Sequence, residues 1–381
     1  MNKYNIIATS AMGIEAIVAK EVRELGYTDC IVENGKVTFD GDELAIARAN
    51  LWLRTADRIK IKIGEFKATS FEELFENTKA LPWGDLLPAN AEFPVSGKSV
   101  KSKLYSVPDC QAIVKKAIVS SLSSYYKING WLQEDGPTYK IEISILKDIA
   151  TLSIDTSGIG LHKRGYRTDQ GEAPLKETLA AALVLLTNWK PDSPFIDPMC
   201  GSGTIPIEAA LIGQNIAPGF NRDFISEKWP IISSDIWEKA REEAENLANY
   251  DQELDILGSD LDARMIKISN DNAFEAGLGD LINFKQMKVS DLYTKKDFGT
   301  LVTNPPYGER LSDKDQVEKL YKELGIILER DSFSSWSKYI LTSHEGFETL
   351  YGKPATKKRK LFNGFIKTDY YQYFGPRKPK I

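Results

Sequence analysis

Along the first 160 residues, two hydrophobic periods alternate. Ile14, Ile17, Val18, Val22 and Leu25 recur at helical spacing, while Tyr4 to Ala8, Ile31-Val32 and Lys36 to Phe39 read as strands, the last two around an Asn34-Gly35 turn. A helix over Leu44 to Leu53 and a strand over Arg58 to Ile63 complete a small α+β unit, residues 1–65. A second α+β unit, 66–159, follows from a helix at Phe71 to Asn77, a strand at Phe93 to Val95 and an amphipathic helix from Asp109 to Lys127. Paired strands at Tyr139 to Leu146 and Ile149 to Asp155 close it.

From Leu175 the order changes to helix, strand, glycine turn, helix, strand. That is the grammar of a parallel sheet with crossover helices, with strands at Phe195 to Asp197, Ile256 to Gly258, Ile282 to Phe284 and Leu301-Val302. Residues 160–381 therefore form an α/β domain. Residues 212–253 interrupt it with Trp229, Trp237 and a charged helix from Trp237 to Asn249, and read as an insertion with a satellite core. Leu361 to Phe365 and Tyr370 to Phe374 read as an antiparallel strand pair closing the sheet, with Asn363-Gly364 in a turn or bulge.

Composition changes this picture in three places. No apolar run approaches the ~18–20 residues of a membrane span and Met1 to Ser10 lacks the layout of a signal peptide, so a soluble cytoplasmic protein without membrane contact is expected. Three separated cysteines, Cys30, Cys110 and Cys200, and only His162 and His344 leave little material for a metal centre or a Ser-His-Asp triad, so no metal is expected. The net charge is −5, yet Lys98, Lys101, Lys103, Lys115, Lys116 and Lys127 face only Asp109 within their own segment. They are expected to present a phosphate-binding face from a loop at 97–103 and the start of the long helix. A second basic stretch runs from Lys353 through Lys357, Lys358, Arg359, Lys360 and Lys367 to Arg377, Lys378 and Lys380.

Candidate chemistry gathers at predicted strand ends. Asp197-Pro198-Met199-Cys200-Gly201-Ser202-Gly203-Thr204 joins a strand to a helix, where glycines let the backbone bend tightly and approach a ligand. With an acid ahead of the glycines and Thr204 in place of the P-loop lysine, it suits a nucleoside with an amino-acid end better than a triphosphate. Asp260 is expected to accept ribose hydroxyls, with Asp262 as helix cap or as its rival. Asp291 stands either on an adenine amino group or as a cap. Thr303-Asn304-Pro305-Pro306-Tyr307-Gly308-Glu309-Arg310 ends the fourth strand, and its prolines forbid both helix and central strand, so Asn304 to Tyr307 must be a rigid turn.

The Asn304-Pro305-Pro306-Tyr307 motif is similar to that of class I S-adenosylmethionine-dependent methyltransferases acting on exocyclic or amide nitrogens. With Lys163-Arg164-Gly165-Tyr166-Arg167, Ala173-Pro174-Leu175-Lys176-Glu177, the Asp197–Thr204 loop, Ser106 to Gln111 and Lys115 to Val119, the chain resembles the THUMP-domain RNA guanine-N2 methyltransferases over nearly its whole length. It resembles in particular the guanine-N2 half of the RlmL-type 23S rRNA enzymes. The resemblance implies a Rossmann-like class I methyltransferase domain preceded by α+β ferredoxin-like and THUMP domains, with the linker at 160–176 joining the cofactor site. It implies S-adenosyl-L-methionine as cofactor, held by Pro174, Leu175, Asp197, Cys200, Gly201, Ser202, Gly203, Thr204, Asp260, Asp291 and Asn304. Asn304, Pro305, Pro306 and Tyr307 are the expected catalytic residues. Lys98, Lys101, Lys103, Lys115, Lys116, Arg164 and Arg167 are the expected RNA contacts. The implied partner is RNA, either 23S rRNA or a ribosomal assembly particle, with tRNA as rival; oligomeric state stays open, a monomer included. The second methyltransferase of the fused form is missing from the sequence, so one activity is expected.

The lone pair of guanine N2 is delocalised into the ring. If the Asn304 side-chain oxygen and the Pro305 carbonyl both accept its N–H bonds, that lone pair is aimed at a sulfonium methyl. Tyr307 then offers a stacking face worth about 1–3 kcal/mol. Glu309 and Arg310 contact the base or RNA, form a surface ion pair or cap the following helix, and Cys200 reads as a packed small residue rather than a nucleophile. Adenine N6 in DNA, a glutamine amide in a release factor, and a non-catalytic RNA-binding assembly role remain open at this point.

Overall fold

The computed structural model describes residues 3–167, 175–308 and 314–377. It has two compact units, one of Met1–Ser10, Val18–Leu161 and Arg222–Glu243, the other of Ala11–Ile17, His162–Asn221 and Ala244–Ile381.

In chain order the first stretch gives β1 (Tyr4–Thr9), α1 (Glu15–Glu24), β2 (Cys30–Glu33), β3 (Lys36–Gly41), α2 (Glu43–Trp52) and β4 (Arg58–Lys67). There follow α3 (Phe71–Lys79), β5 (Val95–Val100), α4 (Val107–Tyr126), β6 (Lys140–Leu146) and β7 (Ile149–Asp155). The seven strands form one sheet in the order β2-β3-β1-β4-β7-β6-β5. Because β4 pairs antiparallel with β1 on one side and β7 on the other, the two α+β units share a continuous sheet, and residue 65 lies inside a strand. Helix caps follow local chemistry: Asp42 and Ser70 accept the amides of Ala45 and Glu73, three residues on.

The strand expected at 93–95 instead covers Val95–Val100, paired in parallel with β6. Four of its six residues, Ser96 to Ser99, are glycine or polar, as suits a sheet edge, which is why the hydrophobic pattern broke off early. Lys98 is therefore a strand residue, not a loop residue. The 212–253 segment also divides, because residues 222–243 pack with the first unit. Trp229 stacks on Tyr139 with ring centres 4.4 Å apart and donates its indole N–H to Thr138, while Trp237 stacks on Phe224.

The second unit carries α5 (Glu177–Leu185), β8 (Phe195–Asp197) and α6 (Thr204–Gly213). After α7 (Ser234–Leu247) come β9 (Ile256–Asp260), α8 (Ala263–Glu275), β10 (Ile282–Gln286) and β11 (Thr300–Thr303). It continues with α9 (Lys314–Leu328), β12 (Ser337–Thr342), α10 (Phe347–Tyr351), β13 (Lys357–Asn363) and β14 (Ile366–Tyr373). The sheet order is β10-β9-β8-β11-β12-β14-β13. Its first five strands are parallel, and β14 is antiparallel to both of its neighbours. One core packs α5 and α6 with Phe195, Val302, Tyr339 and Tyr370, and a second packs α9 with Ile196, Leu301, Ile340 and Tyr371. Successive strand residues thus face opposite cores, as expected of a sheet covered on both sides. The C-terminal hairpin begins earlier than expected, at Lys357. Its charged residues hid an edge strand, and Asn363 pairs with Ile366 to leave Gly364-Phe365 as the turn.

Candidate active site

The strand order sets the site. β8 lies between β9 and β11, so crossovers leave it in opposite directions and a crevice opens beyond the C-terminal strand ends. Asp197 ends β8 and Thr303 ends β11, and the Thr303 hydroxyl donates to Asp197 Oδ1 at 2.8 Å. The Met199 amide donates to the same oxygen at 3.2 Å. Asp197 is 1% exposed. Burial pushes its carboxyl up to about 7, with the Asp260 charge acting in the same direction against the two donors.

The loop after β8 turns through Gly201 at φ +52° and Gly203 at φ +82°, conformations that side-chain-bearing residues rarely adopt. A Cβ on Gly203 would come within 2.9 Å of the Phe284 ring and Ser269, whereas one on Gly201 would meet nothing within 4 Å. Gly201 thus presents bare backbone to the cleft. Its amide donates to Asp260 Oδ2 at 3.0 Å, and the Asp262 amide donates to Oδ1 at 2.9 Å. Asp262 itself caps α8 by accepting the Arg264 amide. Asp291 is exposed and accepts from Ser290, and Ser290 lines the cleft instead. The Cys200 thiol is pushed well up by burial, then by Asp197 and Asp260, so it is held protonated rather than activated.

Across the cleft, the Tyr307 hydroxyl donates to Asn304 Oδ1 at 2.6 Å, and Asn363 Nδ2 approaches the Tyr307 oxygen at 3.4 Å. The amide oxygen of Asn304 is thus the atom turned toward the tyrosine hydroxyl. Pro306 O accepts the Tyr321 hydroxyl at 2.7 Å, which anchors the turn to α9, while the Pro305 carbonyl has no hydrogen-bond partner among the described residues. The cleft has a volume of about 880 Å³, near the upper end for small-molecule sites. Leu175, Asp197, Cys200, Gly201, Ser202, Thr204, Asp260 and Asn304 to Gly308 all line it. Sequence reasoning missed Met265, Met287, Lys288, Glu323, Asn363 and Ile366, which line it too. Only tertiary pairing brings these to one place, and no local motif marks them.

Two expected RNA contacts are corrected. Arg164 pairs with Glu208 at 3.3 Å, their side chains 3% and 0% exposed, and the Tyr166 hydroxyl donates to the same carboxylate. Arg167 pairs with Glu177 at 3.0 Å and donates to Leu175 O and to the Thr204 hydroxyl. The two guanidiniums fasten the linker to α6 and α5, Arg164 as a buried group and Arg167 as a largely buried one. In the first unit, acids distant in sequence complete the charge balance: Lys98 pairs with Glu142, and Lys115 pairs with Glu134 while lying over the Phe93 ring. Lys101, Lys103 and Lys116 are exposed and form no ion pair among the described residues. Pro174, Glu309, Arg310, Lys378 and Lys380 lie outside the described residues. Among the described residues, no cluster of His, Cys, Asp or Glu could hold a metal ion, and no helix is long and apolar enough to cross a membrane.

Comparison with known proteins agrees with this geometry. Residues 164–372 match the RMKL-like methyltransferase domain, 5–60 the RlmL ferredoxin-like domain and 68–155 the THUMP domain. The chain is 65% identical over 381 residues to the proposed RNA methyltransferase YpsC of Bacillus subtilis (strain 168), covering 100% of this chain and 98% of that protein. A crystal structure from Listeria monocytogenes str. 4b F2365, named a predicted N6-adenine-specific DNA methylase, is 64% identical with a TM-score of 0.94 and coverage of 99% and 97%. SMU.472, a proposed methyltransferase solved with S-adenosylhomocysteine (SAH), is 52% identical with a TM-score of 0.95 over 100% of both chains.

Proposed function

The chain belongs to the RMKL-like methyltransferase family and uses S-adenosylmethionine, and on that premise we propose that it methylates the exocyclic N2 of a guanine in RNA, with 23S rRNA the first candidate. The observation that carries the reading is the pair of acceptors leaving β11, Asn304 Oδ1 and the Pro305 carbonyl, in the same cleft as the glycine loop. Two adjacent acceptors fit an –NH2 group and repel a carbonyl. Proline on both sides of the second acceptor holds it in place without further ordering cost.

The cleft fits the cofactor on its own chemistry. Bare backbone at Gly201 leaves room that a Cβ would fill, Asp260 is assigned the ribose hydroxyls, and Asp197 is assigned the ammonium of the amino-acid end. When bound, S-adenosylmethionine supplies an electrophilic sulfonium methyl. Asn304 and Pro305 orient the acceptor nitrogen, Tyr307 offers the base a ring, and the proton released after transfer needs no strong base.

Asp197 must be ionised to pair with an ammonium. With its carboxyl at about 7, affinity for S-adenosylhomocysteine is expected to fall about tenfold between pH 8 and pH 6 in calorimetry, and Asp197→Asn should bind weakly with a flat profile. A pH-independent affinity in the wild type contradicts the assignment. On folding the sign is reversed. A carboxyl raised from about 3.9 in the unfolded chain favours the fold most below that value, and the contribution is lost as pH climbs through about 7.

RNA as substrate is supported by the THUMP match, the name of the Bacillus relative and the unpaired lysines. It also assigns the protein to the cytoplasm, where rRNA and tRNA reside. Reversal of Lys101, Lys103 and Lys116 to glutamate is expected to weaken RNA binding and to flatten its salt dependence by about 0.7–0.9 for each phosphate left without its lysine. Lys98→Ala and Lys115→Ala should do less, since each lysine is already paired. Unchanged binding after reversal of these three lysines would remove this face from the account.

An acceptor pair fits adenine N6 as well as guanine N2, which is the reading that the Listeria name favours. The deciding assay incubates the purified protein with methyl-labelled S-adenosylmethionine and, separately, rRNA, tRNA and DNA from a strain lacking the gene. Label in N2-methylguanosine from RNA supports the proposal. Label in N6-methyladenine from DNA replaces it.

A further inference from the structure

Phe365 sits at the tip of the β13–β14 hairpin, 105% exposed, in a two-residue turn that Gly364 opens at φ +63°. Turn tips in water favour small polar residues, and a phenyl ring left there contributes nothing to the core. The residues on either side of this turn, Asn363 and Ile366, line the same cleft as Asn304, and Asn363 Nδ2 lies 3.4 Å from the Tyr307 hydroxyl. The hairpin is also cationic. Lys357, Lys360 and Lys367 are exposed and form no ion pair among the described residues.

Resting on the RNA reading above, we propose that Phe365 stacks on the RNA bases beside the target, filling the place the target guanine vacates as it enters the cleft. A base must leave its stack for its edge to reach an enclosed site, and the gap it leaves costs stacking energy. An aromatic ring fills such a gap for any neighbouring base, because every base has a π-face. The reach is right. Phe365 stands two residues along the turn from Asn363, so the two lie within about 7 Å, the limit for two residues of chain and roughly two base steps of 3.4 Å. Lys367, two positions past the ring, is placed to meet a phosphate that flanks a stacked base, and Lys360 and Lys357 continue the positive charge along the hairpin. The hairpin then joins two acts in one element: its Asn363 end steadies Tyr307, and its tip holds the stack open.

The test compares wild type, Phe365→Ala and Phe365→Trp in transfer of labelled methyl groups to total rRNA and tRNA from a strain lacking the gene. Thermal unfolding and affinity for S-adenosylhomocysteine are measured alongside. Phe365→Ala is expected to lower kcat/KM for RNA roughly 5- to 150-fold, the range that removal of one base–aromatic stack produces. Unfolding temperature and cofactor affinity should not move, and Phe365→Trp should restore transfer. Alanine transferring as well as phenylalanine overturns the inference and leaves the RNA methyltransferase reading standing. Equal losses in the alanine and tryptophan variants overturn stacking as the cause. Wild type that labels neither RNA pool overturns the RNA reading, and this inference with it.

Discussion

Asn304→Ala lowers kcat for methyl transfer by about 10²–10³-fold, the loss seen when one pre-positioned polar group is removed from a reacting centre, while affinity for S-adenosylhomocysteine stays within a few-fold. The split follows from the site. The glycine loop and Asp260 belong to β8 and β9, whereas Asn304 leaves β11 and its oxygen already has its orientation fixed by the Tyr307 hydroxyl at 2.6 Å. Truncation removes an acceptor from the amine and the hydrogen bond that the Tyr307 hydroxyl donates to it. Tyr307→Phe keeps the ring and should cost less than Asn304→Ala, since only the hydrogen bond that orients the amide is removed. Rapid-quench and steady-state kinetics on one RNA substrate check this. Equal kcat in wild type and Asn304→Ala would remove the acceptor pair from the mechanism.

Arg164→Ala is expected to destabilise the protein by about 3–5 kcal/mol, because Glu208 would be left charged and unpaired in the interior. For a unit of this size that is roughly 6–20 °C in unfolding temperature. Arg164→Lys should recover only part of the loss, since an ammonium cannot reproduce the planar two-nitrogen approach to the carboxylate. Scanning calorimetry reads both variants, and the transition that includes Glu208 is the one that should move. An RNA-contacting arginine would behave in the opposite way, with weaker RNA binding and unchanged stability. That outcome would contradict the burial described here.

The site was legible where chemistry is local to a strand end. Asp197, the glycines at 201 and 203, Asp260 and Asn304 each stand at a strand-to-loop junction that hydrophobic pattern and breakers mark, and the parallel sheet gathers them. Asp262 is a cap, one of its two expected roles. What escaped were features that depend on partners far along the chain. Arg164 and Arg167 read as basic residues for a polymer, yet Glu208 and Glu177, 44 and 10 positions away, draw them inside. The lysine patch looked unopposed because Glu134 and Glu142 lie beyond its segment. Trp229 was assigned to a satellite core, and stacking on Tyr139 instead commits it to the first unit. Edge strands β5 and β13 were shortened by their polar residues, which hydrophobic alternation cannot register. Asn363 and Ile366 reach the cleft only through antiparallel pairing of the last two strands, for which no motif exists.

The central claim is guanine N2 in RNA as acceptor, with Asn304 as its orienting group. Mass spectrometry of nucleosides from rRNA and tRNA of a strain lacking the gene, complemented with wild type or Asn304→Ala, tests it most directly. The account predicts loss of N2-methylguanosine from one RNA site, restored by wild type and not by Asn304→Ala. Unchanged N2-methylguanosine in both pools, or full restoration by the alanine variant, would contradict it.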